Sequence, residues 1–300
     1  MTEVKLAGGA MGFNWLPVFA AIEQGYFEEQ GLKLELMRMG AVDKCTAAVA
    51  EGEADLTITP PEGAVRSTVD GGPLRIIAGN VNVLPLSMVA HKRYSSLEEL
   101  RGARLGTSSL TEGTAIYTQA MLATHGLTYP GDYEFEVVGV HPARWAALKE
   151  GRIDAAVQLI PLNFVAFDEG WSNLGEVSDY IPEIVFTALI GDTQWLAANR
   201  DTATGFLRAL SRGVDYVSDP ANESALMPLV TEATKAEGDY VRKSLEYMRD
   251  KGVFAQKLEI PPAAFAKTIE LMHDARLLRE EEVAKAQETI DLRYREAALA

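Results

Sequence analysis

Two stretches of this chain carry the same residues in the same order 99 positions apart, and a duplication of that kind restricts the fold more than any other feature. Gly40, Gly52 and Asp55 recur as Gly139, Gly151 and Asp154, and Ala47-Ala48-Val49-Ala50-Glu51-Gly52 answers Ala146-Ala147-Leu148-Lys149-Glu150-Gly151. Lys5-Leu6 and Arg104-Leu105 keep the same offset. Gly31-Leu32 and Gly126-Leu127 stand before the second strand of each unit, with a small change of length. Each copy reads as strand, helix, strand, helix, strand. Val4 to Ala7, Leu32 to Met37 and Leu56 to Thr59 are short apolar runs, whereas Leu16 to Glu29 and Val42 to Ala50 have helical spacing. The second copy repeats this with Ala103 to Gly106, Tyr133 to Val138 and Ala155 to Ile160 as strands.

Strands that alternate with helices imply mainly parallel sheets flanked by helices, because a parallel pair needs a crossover connection. Ligands of such sheets bind beyond the carboxyl ends of the strands. Two copies therefore offer two sets of ligand-facing loops, and a cleft between two lobes is where they meet. The glycine and aspartate of the repeat have a structural explanation: Gly52 and Gly151 end alanine-rich helices in the left-handed position, and Asp55 and Asp154 lead into the next strand.

The length of 300 residues accommodates two lobes with a core each. A formal charge of −15 argues against nucleic acid as a partner, since phosphate contacts need clustered Lys and Arg. Cys45, the one cysteine, excludes an internal disulfide and a cysteine-rich metal site. No segment approaches the roughly 20 apolar residues of a membrane helix, and the N-terminus lacks the pattern of a secretory leader. The expected location is accordingly periplasmic or otherwise extracytoplasmic if a leader was removed, and cytoplasmic if not.

The run from Trp15 to Leu32 resembles the opening of the sulfonate, nitrate and thiamine-precursor substrate-binding proteins of ABC importers. The segments Gly71 to Ala78, Ser96 to Gly106 and Ala147 to Ala155 are similar to the same group, in the same order. The resemblance implies a type II periplasmic-binding-protein fold. Lobe one would comprise residues 1–87 and 193–300, and lobe two residues 88–192, with crossings near Leu86-Ser87-Met88 and Gly191-Asp192-Thr193. The tail reads as helices over Thr204 to Tyr216, Ala225 to Thr234, Gly238 to Arg249, Ala263 to His273 and Glu280 to Arg295, all expected to pack on lobe one.

Strand ends select the candidate ligand contacts. After strand one come Asn14, which both donates and accepts, and Trp15, which serves equally as a flat ligand face or as lobe core. After strand two, Gly40 admits a ligand close to the backbone. After strand three stand Thr59, Pro60 and Glu62; Glu62 can answer a cationic nitrogen or act as a first-turn helix carboxylate. In lobe two, Ser108, Ser109 and Thr111 precede a helix and can hold an accepting or anionic group, one of them being needed as the helix cap. His141, Gln158, Asn163 and Trp195 complete the set. Arg144 and Arg66 are the available guanidinium groups, Arg66 being read as facing solvent.

These residues predict a monomeric binder that closes on one small polar molecule without a cofactor or metal. The ligand would be a heterocycle, an amine-bearing compound or a small organic anion, and an importer's membrane component would be the partner of an exported protein. Two other classes stay open, an enzyme on the same fold and a cytosolic ligand sensor. Relatives of this fold include a thiamine-pyrimidine synthase and an aromatic desulfinase. The desulfinase-type cysteine would fall in the loop Gly8 to Asn14, which has none, and the one cysteine does not form an iron motif of the synthase type. Cys45 reads as a small buried hydrophobe on its helix. His141 with Glu62 is the only acid–base pair to consider.

Overall fold

The computed structural model describes residues 1–236 and 238–300. The first repeat unit supplies β1 (Thr2–Gly8), α1 (Leu16–Glu23), α2 (Tyr26–Glu29), β2 (Leu32–Arg38), α3 (Val42–Ala50) and β3 (Leu56–Thr59), followed by α4 (Glu62–Val69) and β4 (Leu74–Val81). After β5 (Leu86–Ala90) the second unit supplies β6 (Arg104–Thr107), α5 (Thr114–Ala123), β7 (Glu134–Val137), α6 (His141–Lys149) and β8 (Ala155–Leu159), then α7 (Leu162–Asp168) and β9 (Ser172–Glu176). The chain continues as β10 (Thr187–Asp192), α8 (Thr193–Ala198), α9 (Arg200–Ser218), α10 (Glu223–Thr234), α11 (Asp239–Asp250), α12 (Pro262–Asp274), α13 (Val283–Ala286) and α14 (Arg293–Leu299).

The strands form two five-stranded sheets, in the orders β2-β1-β3-β10-β4 and β7-β6-β8-β5-β9. Matched by repeat unit, the two orders are the same. The three strands at one side are parallel in each: β1 runs with β2 and β3, and β6 with β7 and β8. The remaining contacts are antiparallel, β10 against β3 and β4, and β5 against β8 and β9. Both sheets are thus mixed, and each belongs to one lobe.

The repeated aspartates perform the same task in both lobes. Asp55 accepts the Lys5 amide on Oδ2 (2.8 Å) and donates its own N–H to the Lys5 carbonyl (3.0 Å); Asp154 does so with Arg104 (2.9 and 2.7 Å). Each clamps the start of its unit's third strand to the first strand. Gly52 and Gly151, at φ 75° and 70°, turn the chain out of the preceding helix as a left-handed C′ residue does.

Two expectations about the chain path need correcting. Thr187–Asp192, read from the sequence as the end of lobe two, lies between β3 and β4 in the first sheet, so the return crossing falls between β9 and β10. The outward crossing is the short link between β4 and β5. The reason is that β5 and β10 lie outside the repeated motif, and an apolar strand carries no mark of which sheet will take it.

The tail likewise spans both lobes. α9 packs on α1 and α2, α14 on α9, and α13 on α4, all on lobe one. α11 and α12 reach further. Tyr247 Oη donates to Glu176 at the end of β9 (3.0 Å), Lys251 Nζ lies 3.4 Å from the same carboxylate, and α12 rests against α5. The expected last helix is broken at Ile290, which bridges to Ile76 of β4 while the Asp291 N–H donates to the Ile76 carbonyl (2.9 Å).

Candidate functional site

The carboxyl ends of the parallel strands from both sheets face one another across a cavity of about 70 Å³. Lobe one contributes the β1–α1 loop (Gly9, Ala10, Met11, Asn14 and Trp15), Val42, Ile58, Thr59 and Pro60, with Phe186 and Thr187 at the head of β10. Lobe two contributes Ser108, Gly113, Thr114, Val140, His141, Arg144 and Leu159. The lobes stand closed. A Cβ on Gly12 would lie 3.1 Å from the His141 ring, and one on Gly63 2.6 Å from Glu112 Oε1.

Trp15 is seated by the sequence immediately before it. Gly8 ends β1 without a side chain, and a Cβ there would fall 2.0 Å from Trp15 Cζ2, so the indole lies flat on the strand end and is fully buried. Asn80 of β4 fixes the loop: its Nδ2 donates to the Asn14 carbonyl (2.9 Å) and to Thr187 Oγ1 (3.0 Å). Asn80 was not among the sequence candidates, although a lone amide within the apolar run Leu74–Val81 is the kind of signal that marks such a tie.

Four helices begin at this cavity: α3 after Ala41, α4 after Pro61, α5 after Gly113 and α6 after Val140. None of the four has a side-chain cap. Their leading N–H groups and the positive ends of their dipoles surround the space between the lobes. Arg144, one turn into α6, is the charged residue of the lining. It is 3% exposed, donates from Nε to the Val157 carbonyl (3.1 Å) and from Nη1 to the Gly139 carbonyl (3.2 Å). Burial lowers its pKa to about 9. His141 opens the same helix; burial, and then the Arg144 charge, push it down to about 3, so it is a neutral imidazole at physiological pH.

The sequence candidates divide. Asn14, Trp15, Thr59, Pro60, Ser108 and His141 line the cavity. Glu62 does not: its Oε1 accepts from Tyr117 Oη (3.3 Å), so the carboxyl that was to answer an amine is turned into the boundary between the lobes. Burial pushes Glu62 up to about 7, against the pull of its own amide, the Gly113 amide and Tyr117. Glu112, on the facing side, is raised to about 8 by burial and then by the charges of Glu62 and Asp43.

The remaining candidates have other partners. Ser109 and Thr111 bond to each other (3.2 Å), while the cap position of α5 is taken by Gly113. Gly40 donates its N–H to the Gly9 carbonyl (3.2 Å) and so positions the loop from outside the lining. Gln158, fully buried, satisfies both ends of its amide on the His141 carbonyl (3.2 Å) and the Trp145 N–H (3.1 Å). Asn163 holds Ser87 Oγ (2.9 Å). Trp195 sits beside Asp55 and Val49 at a separate surface depression. Arg66, expected in solvent, is paired with Asp70 (2.5 Å) and Glu282 (3.1 Å). Cys45 is buried, donates to the Ala41 carbonyl (3.2 Å) and is pushed up to about 12 by burial.

Two matched sheets with reciprocal antiparallel strands, closed over a cavity ringed by helix N-termini, define the type II periplasmic-binding-protein fold. Residues 12–223 match the family described as NMT1/THI5 like, and the chain belongs to that family. Among curated relatives, the 4-amino-5-hydroxymethyl-2-methylpyrimidine phosphate synthase THI5 of Saccharomyces cerevisiae is 23% identical over 231 residues, covering 69% of this chain and 66% of that protein. Solved structures with the same fold include the periplasmic nitrate-binding protein NrtA from Synechocystis PCC 6803 (TM-score 0.81, 14% identity, 99% of this chain and 88% of that one). The alkanesulfonate-binding protein SsuA from Xanthomonas axonopodis pv. citri, bound to MOPS, is also similar (TM-score 0.76, 14% identity, 95% and 98%).

Proposed function

We propose that the chain is a solute-binding protein which closes on one small anion and delivers it to an ABC importer, working outside the cytoplasm. The observation that carries this reading is Arg144, a buried guanidinium in the wall of the interlobe cavity that has backbone carbonyls for partners and, among the described residues, no carboxylate. An uncompensated buried charge is costly, and an anionic guest offsets it. The four uncapped helix starts favour the same charge. The similar proteins agree in kind: nitrate and alkanesulfonate are anions, and the pyrimidine named for the yeast relatives is a phosphate ester. In this reading Glu62 serves the closure between lobes.

The yeast relatives supply the second reading, an enzyme on a small phosphorylated heterocycle. A thermal-shift screen of carboxylates, sulfonates, phosphomonoesters and amines, followed by mass analysis of the recovered ligand, separates the two. Anions should raise the unfolding temperature progressively as their concentration exceeds the dissociation constant, and be recovered unchanged. Stabilisation by amines alone would refute the anion site, and a changed ligand mass would establish the enzyme.

A further inference from the structure

Met11 belongs to two cavities at once. It lines the interlobe cavity and also a groove of about 390 Å³ on the outside of lobe one, between α1, β2 and α10. Phe19, Ile22, Leu36 and Leu229 form the apolar part of its lining, beside the charged Glu23, Arg38, Glu232 and Lys235, and Ile22 is 42% exposed there. Met11 itself is 3% exposed and holds φ at +52°, a left-handed conformation that an unbranched L-residue adopts only under local constraint. The constraint is visible next door, where Arg38 Nη1 donates to the Ala10 carbonyl (2.6 Å) and pins the loop to β2.

The interlobe cavity has room for about two water molecules, enough for the charged head of an organic anion and little else. The adjoining groove is more than five times as large, and its apolar side chains stand among Glu23, Arg38, Glu232 and Lys235. Met11 is the thin wall between them. Three rotatable bonds let a methionine side chain swing without moving the backbone. Resting on the anion reading above, we propose that Met11 is a movable partition and that the solute carries an apolar tail. The head sits on Arg144, and the tail passes Met11 to lie against Phe19, Ile22 and Leu229. Continuity through one side chain identifies the groove's occupant as the remainder of the same ligand.

Calorimetric titration of the full chain with straight-chain carboxylates from propanoate to octanoate tests this. Affinity should rise about tenfold or more along the series, as each methylene leaves water for the groove. Ile22→Asp, at a surface position where folding is undisturbed, should abolish the gain for octanoate and leave propanoate unchanged within about twofold. Propanoate binding with octanoate excluded, or an Ile22→Asp effect equal on both acids, would overturn the partition while leaving the anion site intact. No binding by any acid of the series, nor by the matching alkyl sulfonates and phosphomonoesters, would instead remove the anion reading and the partition with it.

Discussion

Glu62 and Glu112 meet where the lobes close, and their chemistry makes closure dependent on pH. Both stand above the value of a glutamate in an unfolded chain, so between about pH 4.5 and 8 the folded protein binds more protons than the unfolded one. Stability therefore falls as pH rises through that window. For Glu112, 5% exposed and raised from 4.5 to about 8, the linkage amounts to about 3 kcal/mol at pH 7 and about 4 kcal/mol at pH 8. Glu112→Gln keeps the shape, removes the titration and gives Glu62 a neutral neighbour. Urea unfolding followed by tryptophan fluorescence should find the variant about 2 to 3 kcal/mol more stable than the wild type near pH 7.5, the gap closing toward pH 4.5. Parallel stability curves for the two proteins from pH 5 to 8 would refute the reasoning. They would mean that Glu112 keeps an ordinary carboxylate pKa and is reached by water.

Gly8→Ala should cost about 1 to 3 kcal/mol and shift tryptophan emission, because the new methyl occupies the space of the Trp15 ring; an unchanged spectrum would show that the indole moves aside freely. Asp55→Ala and Asp154→Ala should each cost about 1 to 3 kcal/mol and leave ligand affinity alone. Asp154 should be the more sensitive, since it also holds Arg93 (2.6 Å), and loss of binding in either folded variant would count against a purely structural role. Tyr247→Phe removes the hydrogen bond from α11 to Glu176 and should enlarge the ligand-free radius in small-angle scattering, with compaction restored by a saturating anion. A radius that responds to neither change would argue against hinge closure.

The repeat made the two-lobed α/β architecture legible because its signals are local: a glycine that ends a helix, an aspartate that clamps two strands, and apolar runs of strand length. Those requirements act within about fifty residues and recur identically, as Asp55 with Lys5 and Asp154 with Arg104 show. Strand β10 was assigned to the wrong side because sheet membership is decided by a partner far away in sequence, here Ile58 and Ala78 facing Leu189. The strand-end rule found the loops at Asn14, Thr59, Ser108 and His141. It did not find which way each side chain turns. Glu62 was drawn off by Tyr117, Gln158 by the backbone of α6, and Arg144 acquired its place in the cavity wall through two carbonyls that no spacing announces. Met11 escaped notice because its importance lies in the volumes on its two sides.

The placement of β5 and β10 also fixes an order of assembly. One unbroken stretch, from Leu86 to Glu176, contains every strand of the second sheet, whereas the first sheet keeps a vacant lane between β3 and β4 until Thr187–Asp192 has been made. On the ribosome, the lobe encoded later would therefore be finished earlier. The lobe encoded first must wait, with β3 and β4 unjoined, for the returning strand to slide between them.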